Sequence, residues 1–272
     1  MIPFLDLKGM NAQYREELIE ACIKVIDSGW YIQGSEHKEF EKEFAQYCGA
    51  KYAIGVANGL DALTLILRAY KEMGMMKDGD EVIVPSNTYI ASVLAISQNN
   101  LVPVLVEPDI NTYLIDSSKI EEKVTVKTKA IMPVHLYGQT CQMDKINAIA
   151  KKHNLMLIED AAHAIESDTP QGKIGTIGDL TCFSFYVTKN ITTAEGGMIT
   201  TNNAEWAEKL KIYALHGLSH DAWKRYSDSG FKHYEVQFPG FKYNMTDLQA
   251  SLGLHQIKRV DKNLKRRESI WR

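Results

Sequence analysis

The chain has 272 residues, 45% of them hydrophobic and 24% charged, enough for one large core or for one domain and the start of a second. A formal net charge of -3 gives no electrostatic case for nucleic acid or an anionic membrane, and the longest apolar runs are strand-length, too short to span a bilayer. Cys22, Cys48, Cys141 and Cys182 are scattered, with no C-x-x-C pair and no histidine at metal-ligand spacing, and the N-terminal stretch lacks the pattern of a signal peptide. Reduced thiols, no metal and a cytoplasmic location are therefore expected.

In chain order, residues 11–28 put Leu18, Ile19, Cys22 and Ile26 on one helical face, and Asp27-Ser-Gly29 stops that helix. An aromatic turn, Trp30-Tyr-Ile-Gln-Gly34, either caps it or borders a site; Phe40, Phe44 and Tyr47 then line a second helix. Tyr52-Ala-Ile-Gly-Val56 reads as a buried strand, and Ala57-Asn-Gly-Leu-Asp61 turns from it into a helix carrying Leu63, Leu65, Ile66 and Leu67. Such a turn offers free backbone N–H groups and the positive end of a helix dipole, a seat for phosphate, although many strand-to-helix turns contain glycine. Glu81-Val-Ile-Val-Pro85 is the next strand, and Ser86-Asn-Thr-Tyr89 leads into another helix. Residues 101–107 and 129–135 add two more buried strands, the second ending in His135, which reads as a structural histidine. Helix 204–215 is followed by a polar and aromatic loop over 216–230, and 248–272 reads as one amphipathic helix with a basic outer face. Apolar runs separated by helical segments argue for an α/β fold, a mostly parallel sheet with helices on both faces.

Two stretches carry chemistry. Asn154-Leu-Met-Leu-Ile-Glu-Asp160 is an apolar strand that ends in a carboxylate, where open α/β sheets place ligand-contacting groups, and Ala161-Ala-His163 follows it. Thr181-Cys-Phe-Ser-Phe-Tyr-Val-Thr-Lys189 delivers a lysine into a polar turn that closes on Glu195-Gly-Gly197. Taken alone, Lys189 is either a solvated loop lysine or an amine whose pKa is lowered by burial, as attack on a carbonyl requires. With Asp160 one unit upstream, the pair suits pyridoxal 5'-phosphate (PLP). The carboxylate would keep the pyridine nitrogen protonated while the lysine carries the cofactor as a Schiff base.

On these motifs, and on Phe241-Lys-Tyr-Asn-Met-Thr-Asp247, the chain resembles the DegT/DnrJ/EryC1/StrS sugar aminotransferases over essentially its whole length. That resemblance implies the fold-type I PLP-transferase architecture. It implies PLP held by Lys189 and Asp160, with its phosphate on the amides of Gly59 and Leu60 and on the hydroxyl of Ser184. Leu60 stands where family members often have Ser or Thr, so the contact implied there is through the backbone. Tyr89 would stack on the ring, and His163 would pack or hydrogen-bond near it. The resemblance also implies a homodimer with shared active sites, Asn244 of one subunit reaching the other's phosphate and the loop after 216 joining the interface and active-site wall. It divides the chain into a large PLP-binding domain, 1–247, and the start of a shortened small C-terminal domain, 248–272.

The activity implied is transfer of an amino group, from glutamate, to a nucleotide-linked keto sugar in amino-sugar biosynthesis for a polysaccharide or glycosylated metabolite. Val106-Glu-Pro-Asp109 and Pro85-Ser-Asn-Thr-Tyr-Ile-Ala-Ser92 resemble enzymes acting on dTDP-3-keto-6-deoxyhexoses. Lys189-Asn-Ile-Thr-Thr-Ala-Glu-Gly-Gly197 and His216-Gly-Leu218 resemble the branch acting on UDP- or GDP-linked 4-keto sugars, and the 3-keto reading is preferred. A sugar dehydratase of this fold would have histidine at Lys189, and a non-catalytic PLP-binding homologue is the remaining alternative.

Overall fold

Short apolar strands build the centre of the molecule, and their side chains alternate between two separately packed faces. The structure, a computed structural model, describes residues 5–218 and 235–271. Helices α1 (Leu7–Ala12), α2 (Arg15–Ser28) and α3 (Ser35–Cys48) precede β1 (Tyr52–Val56). There follow α4 (Gly59–Glu72), β2 (Glu81–Pro85), α5 (Ile90–Gln98), β3 (Val102–Val106), β4 (Thr128–Ile131), α6 (Met143–His153) and β5 (Met156–Asp160). A small hairpin, β6 (Asp168–Thr169) with β7 (Gly172–Lys173), separates β5 from β8 (Leu180–Ser184). After β9 (Gly197–Thr201) come α7 (Ala204–Ala214), α8 (Asp247–Ile257) and α9 (Val260–Trp271).

The sheet has the order β1-β9-β8-β5-β4-β2-β3. It is parallel from β8 to β3, and β9 runs antiparallel to both β1 and β8. On one face Ile54, Val82, Met132, Ile158 and Cys182 pack against α4, α5 and α7. Their strand neighbours Ala53, Ile83, Ile131, Leu157 and Phe183 point the other way, toward α3 and α8 at one end and α6 at the other. The mostly parallel α/β sheet with helices on both faces is the one the apolar runs imply. Phe40 and Phe44 of α3 are fully buried, Phe40 against Phe185 and Phe44 against Phe183 and Phe185, with ring centroids 5.0–5.4 Å apart. Each such ring contributes about 1.5–3 kcal/mol by burial.

Four elements differ from the sequence expectation. The first helix breaks at Gln13–Tyr14, and α2 buries Ala21 and Val25 while Ile26 is 54% exposed. The buried stripe is thus centred one residue back from the expected one, on a helix that packs against α8. β3 is an edge strand with Val102 and Leu105 half-exposed, not a doubly covered one. β4 stops at Ile131, and beyond it only Val134 bridges to Asp160. The last segment is two helices, separated by a turn at Lys258 and Arg259. The division expected after residue 247 falls at the start of α8, whose Ala250, Leu254 and Ile257 pack into the core formed with α3. Residues 219–234, the greater part of the loop expected at the interface and active-site wall, lie outside the described residues.

Candidate active site

Parallel strands bring their carboxyl ends to one edge, and the residues singled out by chemistry gather there. Asp160 is the last residue of β5 and Ser184 the last of β8, the neighbouring strand; Val56 ends β1 just before the turn into α4. The register ties these ends together. Gly197 of β9 pairs with Val56 on one side and with Ser184 on the other, and Cys182 pairs with Asp160.

That row leaves no room for side chains where the turn crosses it. A Cβ on Gly59 would lie 2.9 Å from Ser184 Cβ, and one on Gly197 would lie 2.6 Å from the carbonyl carbon and oxygen of Asn58. Cys182 Sγ donates to the Gly59 carbonyl at 3.2 Å, clamping the turn to the sheet. Asn58 caps α4 by accepting from Asp61 N at 2.8 Å, and Ala62 N donates to the Asn58 carbonyl. The amides of Gly59 and Leu60 remain without an acceptor among the described residues, directed off the positive end of the helix. Burial raises the Asp61 carboxyl to about 6, with Asn58 opposing the shift and the charge of Glu195 adding to it.

Asp160 is 5% exposed. Its Oδ2 accepts from Ser92 Oγ at 2.8 Å and its Oδ1 from Ala162 N at 3.1 Å, while Ser92 Oγ shares a second hydrogen bond of 2.8 Å with Thr88 Oγ1. This pair of hydroxyls was missed in the sequence reading. The available signal was a serine within an apolar helix, Ile-Ala-Ser-Val-Leu-Ala-Ile, where a buried polar group needs a partner. Tyr89 stands at the start of the same helix, one turn before Ser92, and is 74% exposed.

Lys189 lies in the segment between β8 and β9, its N–H closing a turn on the Tyr186 carbonyl at 2.8 Å. Burial holds its amine below the usual lysine range, and the charge of Asp160 opposes that shift only in part. Among the described residues its Nζ makes no hydrogen bond or ion pair. His163 is half-buried beside it. Burial and then the Lys189 charge push the imidazole below its usual pKa, while Asp160 pulls the other way. The Tyr137 amide donates to His163 Nδ1 at 3.3 Å and the two rings stack at 5.8 Å, with Tyr137 held at φ 55. Such a backbone, in the left-handed region, is uncommon for an aromatic residue and is held there by its surroundings.

Asn244 bridges to Val56 beside the turn into α4 of its own chain, and its Oδ1 accepts from Lys242 Nζ at 2.8 Å. His135 is fully buried, its Nε2 2.9 Å from Glu159 Oε2, and its Nδ1 accepts the Cys141 amide at 3.2 Å. It is part of the sheet's internal polar network. No cluster of metal-ligating side chains occurs among the described residues, and none of their helices is long and apolar enough to cross a membrane.

The carboxylate of Asp160, the Lys189 segment and the turn into α4 therefore lie at one edge of the sheet. Residues 12–272 match the family model of the DegT/DnrJ/EryC1/StrS aminotransferases. The chain is 54% identical over 99% of its length to dTDP-3-amino-3,6-dideoxy-alpha-D-galactopyranose transaminase of Aneurinibacillus thermoaerophilus, covering 70% of that protein. It is 47% identical over 91% of its length to GDP-perosamine synthase of Caulobacter vibrioides, covering 63% of it. The structure superposes on DesV of S. venezuelae, solved in complex with a ketimine intermediate, with a TM-score of 0.87 at 37% identity. That match covers 96% of this chain and 66% of the other, so the chain spans about two thirds of the length of these relatives. The chain belongs to the DegT/DnrJ/EryC1/StrS aminotransferase family.

Proposed function

We propose that the chain is a PLP-dependent aminotransferase that moves an amino group from glutamate to the keto group of a nucleotide-linked sugar, a dTDP-3-keto-6-deoxyhexose. The observation that carries it is that Lys189, whose amine has no hydrogen-bond or ion-pair partner among the described residues and a pKa below its usual range, feels the charge of the strand-end carboxylate Asp160. The 54% identity to a dTDP-3-amino-sugar transaminase supports the choice of sugar.

The residues fit the cofactor. Asp160, oriented by Ser92 and the Ala162 amide, would hold a pyridinium N–H. The amides of Gly59 and Leu60, without an acceptor among the described residues and next to the Ser184 hydroxyl, suit a phosphate, and the exposed Tyr89 offers a stacking face. Bound PLP would supply the electron sink for a carbanion at the substrate carbon. Lys189 is the general base and acid of this reading: neutral more readily than an exposed lysine, it takes a proton from the substrate carbon and returns one. His163, its pKa lowered by burial, packs beside the lysine and adds no step of its own to this reading.

The same reading has a homodimer, in which Asn244 of one copy supports the phosphate of the other, and a cytoplasmic location consistent with four free cysteines. A second sugar class, a UDP- or GDP-linked 4-keto sugar, is favoured by the motif around Lys189 and by 47% identity to a protein named GDP-perosamine synthase. The test is an absorbance spectrum with PLP, then borohydride reduction, peptide mapping and turnover on both sugar classes with glutamate. A pyridoxyl mass on Lys189 and amination of the dTDP sugar are expected. A folded protein with no pyridoxyl mass on Lys189 would overturn the cofactor assignment, and turnover of 4-keto sugars alone would overturn the choice of sugar.

A further inference from the structure

The segment that carries Lys189, residues 186–196, is held from outside the sheet by three side chains. Gln256 of α8 pairs with Thr192 in both directions: the Thr192 amide donates to Gln256 Oε1 at 2.9 Å, and Gln256 Nε2 donates to the Thr192 carbonyl. Gln249 of α8 donates through Nε2 to the Glu195 carbonyl at 2.7 Å. The third link reaches nearest to the lysine. Asn190, the residue directly after it, donates through Nδ2 to Glu166 Oε2, and the other oxygen of Glu166 takes Arg267 of α9.

Glu166 is 8% exposed, and neither partner lies on its own segment. A desolvated carboxylate that loses one of two such partners is left uncompensated, so the three groups are set as a unit. A carboxylate that only fastened α9 to the body would need Arg267 alone. Here its second oxygen goes to the side chain adjoining Lys189.

We propose that Glu166 is a positioning residue for Lys189, fixing the lysine-bearing segment through Asn190 and linking its place to Arg267 of α9. The inference rests on Lys189 being the cofactor lysine. Among the described residues, the charged and titratable groups facing that amine are Asp160 from β5, Cys182 from β8 and His163 from the turn after β5. None of them belongs to the link, so releasing the link acts by admitting water around Lys189, which moves its amine toward the usual lysine range.

The test compares the full chain with Glu166→Gln, Arg267→Ala, Arg267→Lys and Asn190→Ala. Two readouts are taken without cofactor: amide exchange of 186–196, and the pH profile of Lys189 acetylation by acetic anhydride, read by peptide mass. Glu166→Gln and Arg267→Ala are expected to speed exchange in the segment by on the order of tenfold while β8 and β9 stay protected. They should also move the Lys189 profile to higher pH, with Arg267→Lys restoring most of it. Asn190→Ala, which keeps the Glu166–Arg267 pair, should shift the Lys189 profile in the same direction in a fully folded chain. Unchanged profiles in all variants overturn the proposal, and so does faster exchange without a shift at Lys189, which would make Glu166 a structural fastening only. Absence of a pyridoxyl mass on wild-type Lys189 would refute the functional reading separately, because the acetylation profile needs no cofactor.

Discussion

Ser92 Oγ and Asp160 Oδ2 lie 2.8 Å apart in the interior, a hydroxyl of α5 donating to the last residue of β5. The bond fixes one oxygen of a carboxylate that is only 5% exposed, and the Ala162 amide fixes the other. A hydrogen bond to a charged group of this kind contributes about 1.5–3 kcal/mol. Ser92→Ala is therefore expected to lower kcat/KM by about ten- to a hundredfold, with a smaller change in KM for the amino donor. Ser92→Thr, which keeps a hydroxyl, should recover most of the loss. Steady-state kinetics of both variants, with urea melts to follow stability, check this.

Gly197 stands where the turn into α4 crosses the sheet, and an added Cβ would lie 2.6 Å from the backbone of Asn58. The neighbour is main chain, so it cannot swing away as a flexible side chain would. Gly197→Ala is expected to cost about 1–3 kcal/mol of stability and to displace the Gly59 and Leu60 amides. PLP affinity should fall with it, measured by fluorescence titration of the folded variant. A variant as stable as wild type and binding PLP equally well would show that the turn is not held against β9.

Much of this arrangement is legible from residue order. Asp160 and Lys189 are visible because each follows an apolar strand, and strand ends share an edge in a parallel sheet. Gly59 and Ser184 are visible only as a turn glycine and a strand-end hydroxyl; their contact depends on β9 being inserted antiparallel between β1 and β8. Nothing local to 197–201 reports strand direction. The Ser92–Asp160 bond spans 68 residues and the Glu166–Arg267 pair 101, so pairing across such distances is set by tertiary packing. The shifted face of α2 has the same origin: α2 packs against α8, and it buries Ala21 while Ile26 stays exposed.

Asp61 sits in the first turn of α4 with its carboxyl raised from 3.8 to about 6, chiefly by burial. Between those values the native state holds a proton that the unfolded chain has released, so stability falls as pH rises through that window, and the loss stays complete above it. Asp61→Asn removes the titration and keeps an acceptor for Asn58 Nδ2, which now donates to Asp61 Oδ2 at 2.9 Å. The variant should match wild type in melting temperature below about pH 4 and exceed it by a constant margin above about pH 7. Removing a carboxylate beside the phosphate-type turn should also tighten phosphate binding at the higher pH. Thermal melts across pH, with and without inorganic phosphate, read both effects.

Lys189 has the opposite charge and the opposite direction of shift. Its amine is held below the ordinary lysine value of 10.5, first by burial, so at neutral pH folding either desolvates an ammonium or releases its proton. The unfolded chain binds more protons than the native state from the lowered value up to 10.5, and stability rises with pH through that window. Below the window the cost is complete. Replacing the amine with an apolar side chain of similar length removes it, so cofactor-free Lys189→Met should melt at a higher temperature than wild type near neutral pH. The margin should narrow as pH approaches 10.5. The same variant should take no pyridoxyl mass and show no turnover. A gain in stability coupled to a loss of activity is what separates a lysine retained for chemistry from one retained for packing, and an unchanged or lower melting temperature would argue that Lys189 contributes to the fold instead.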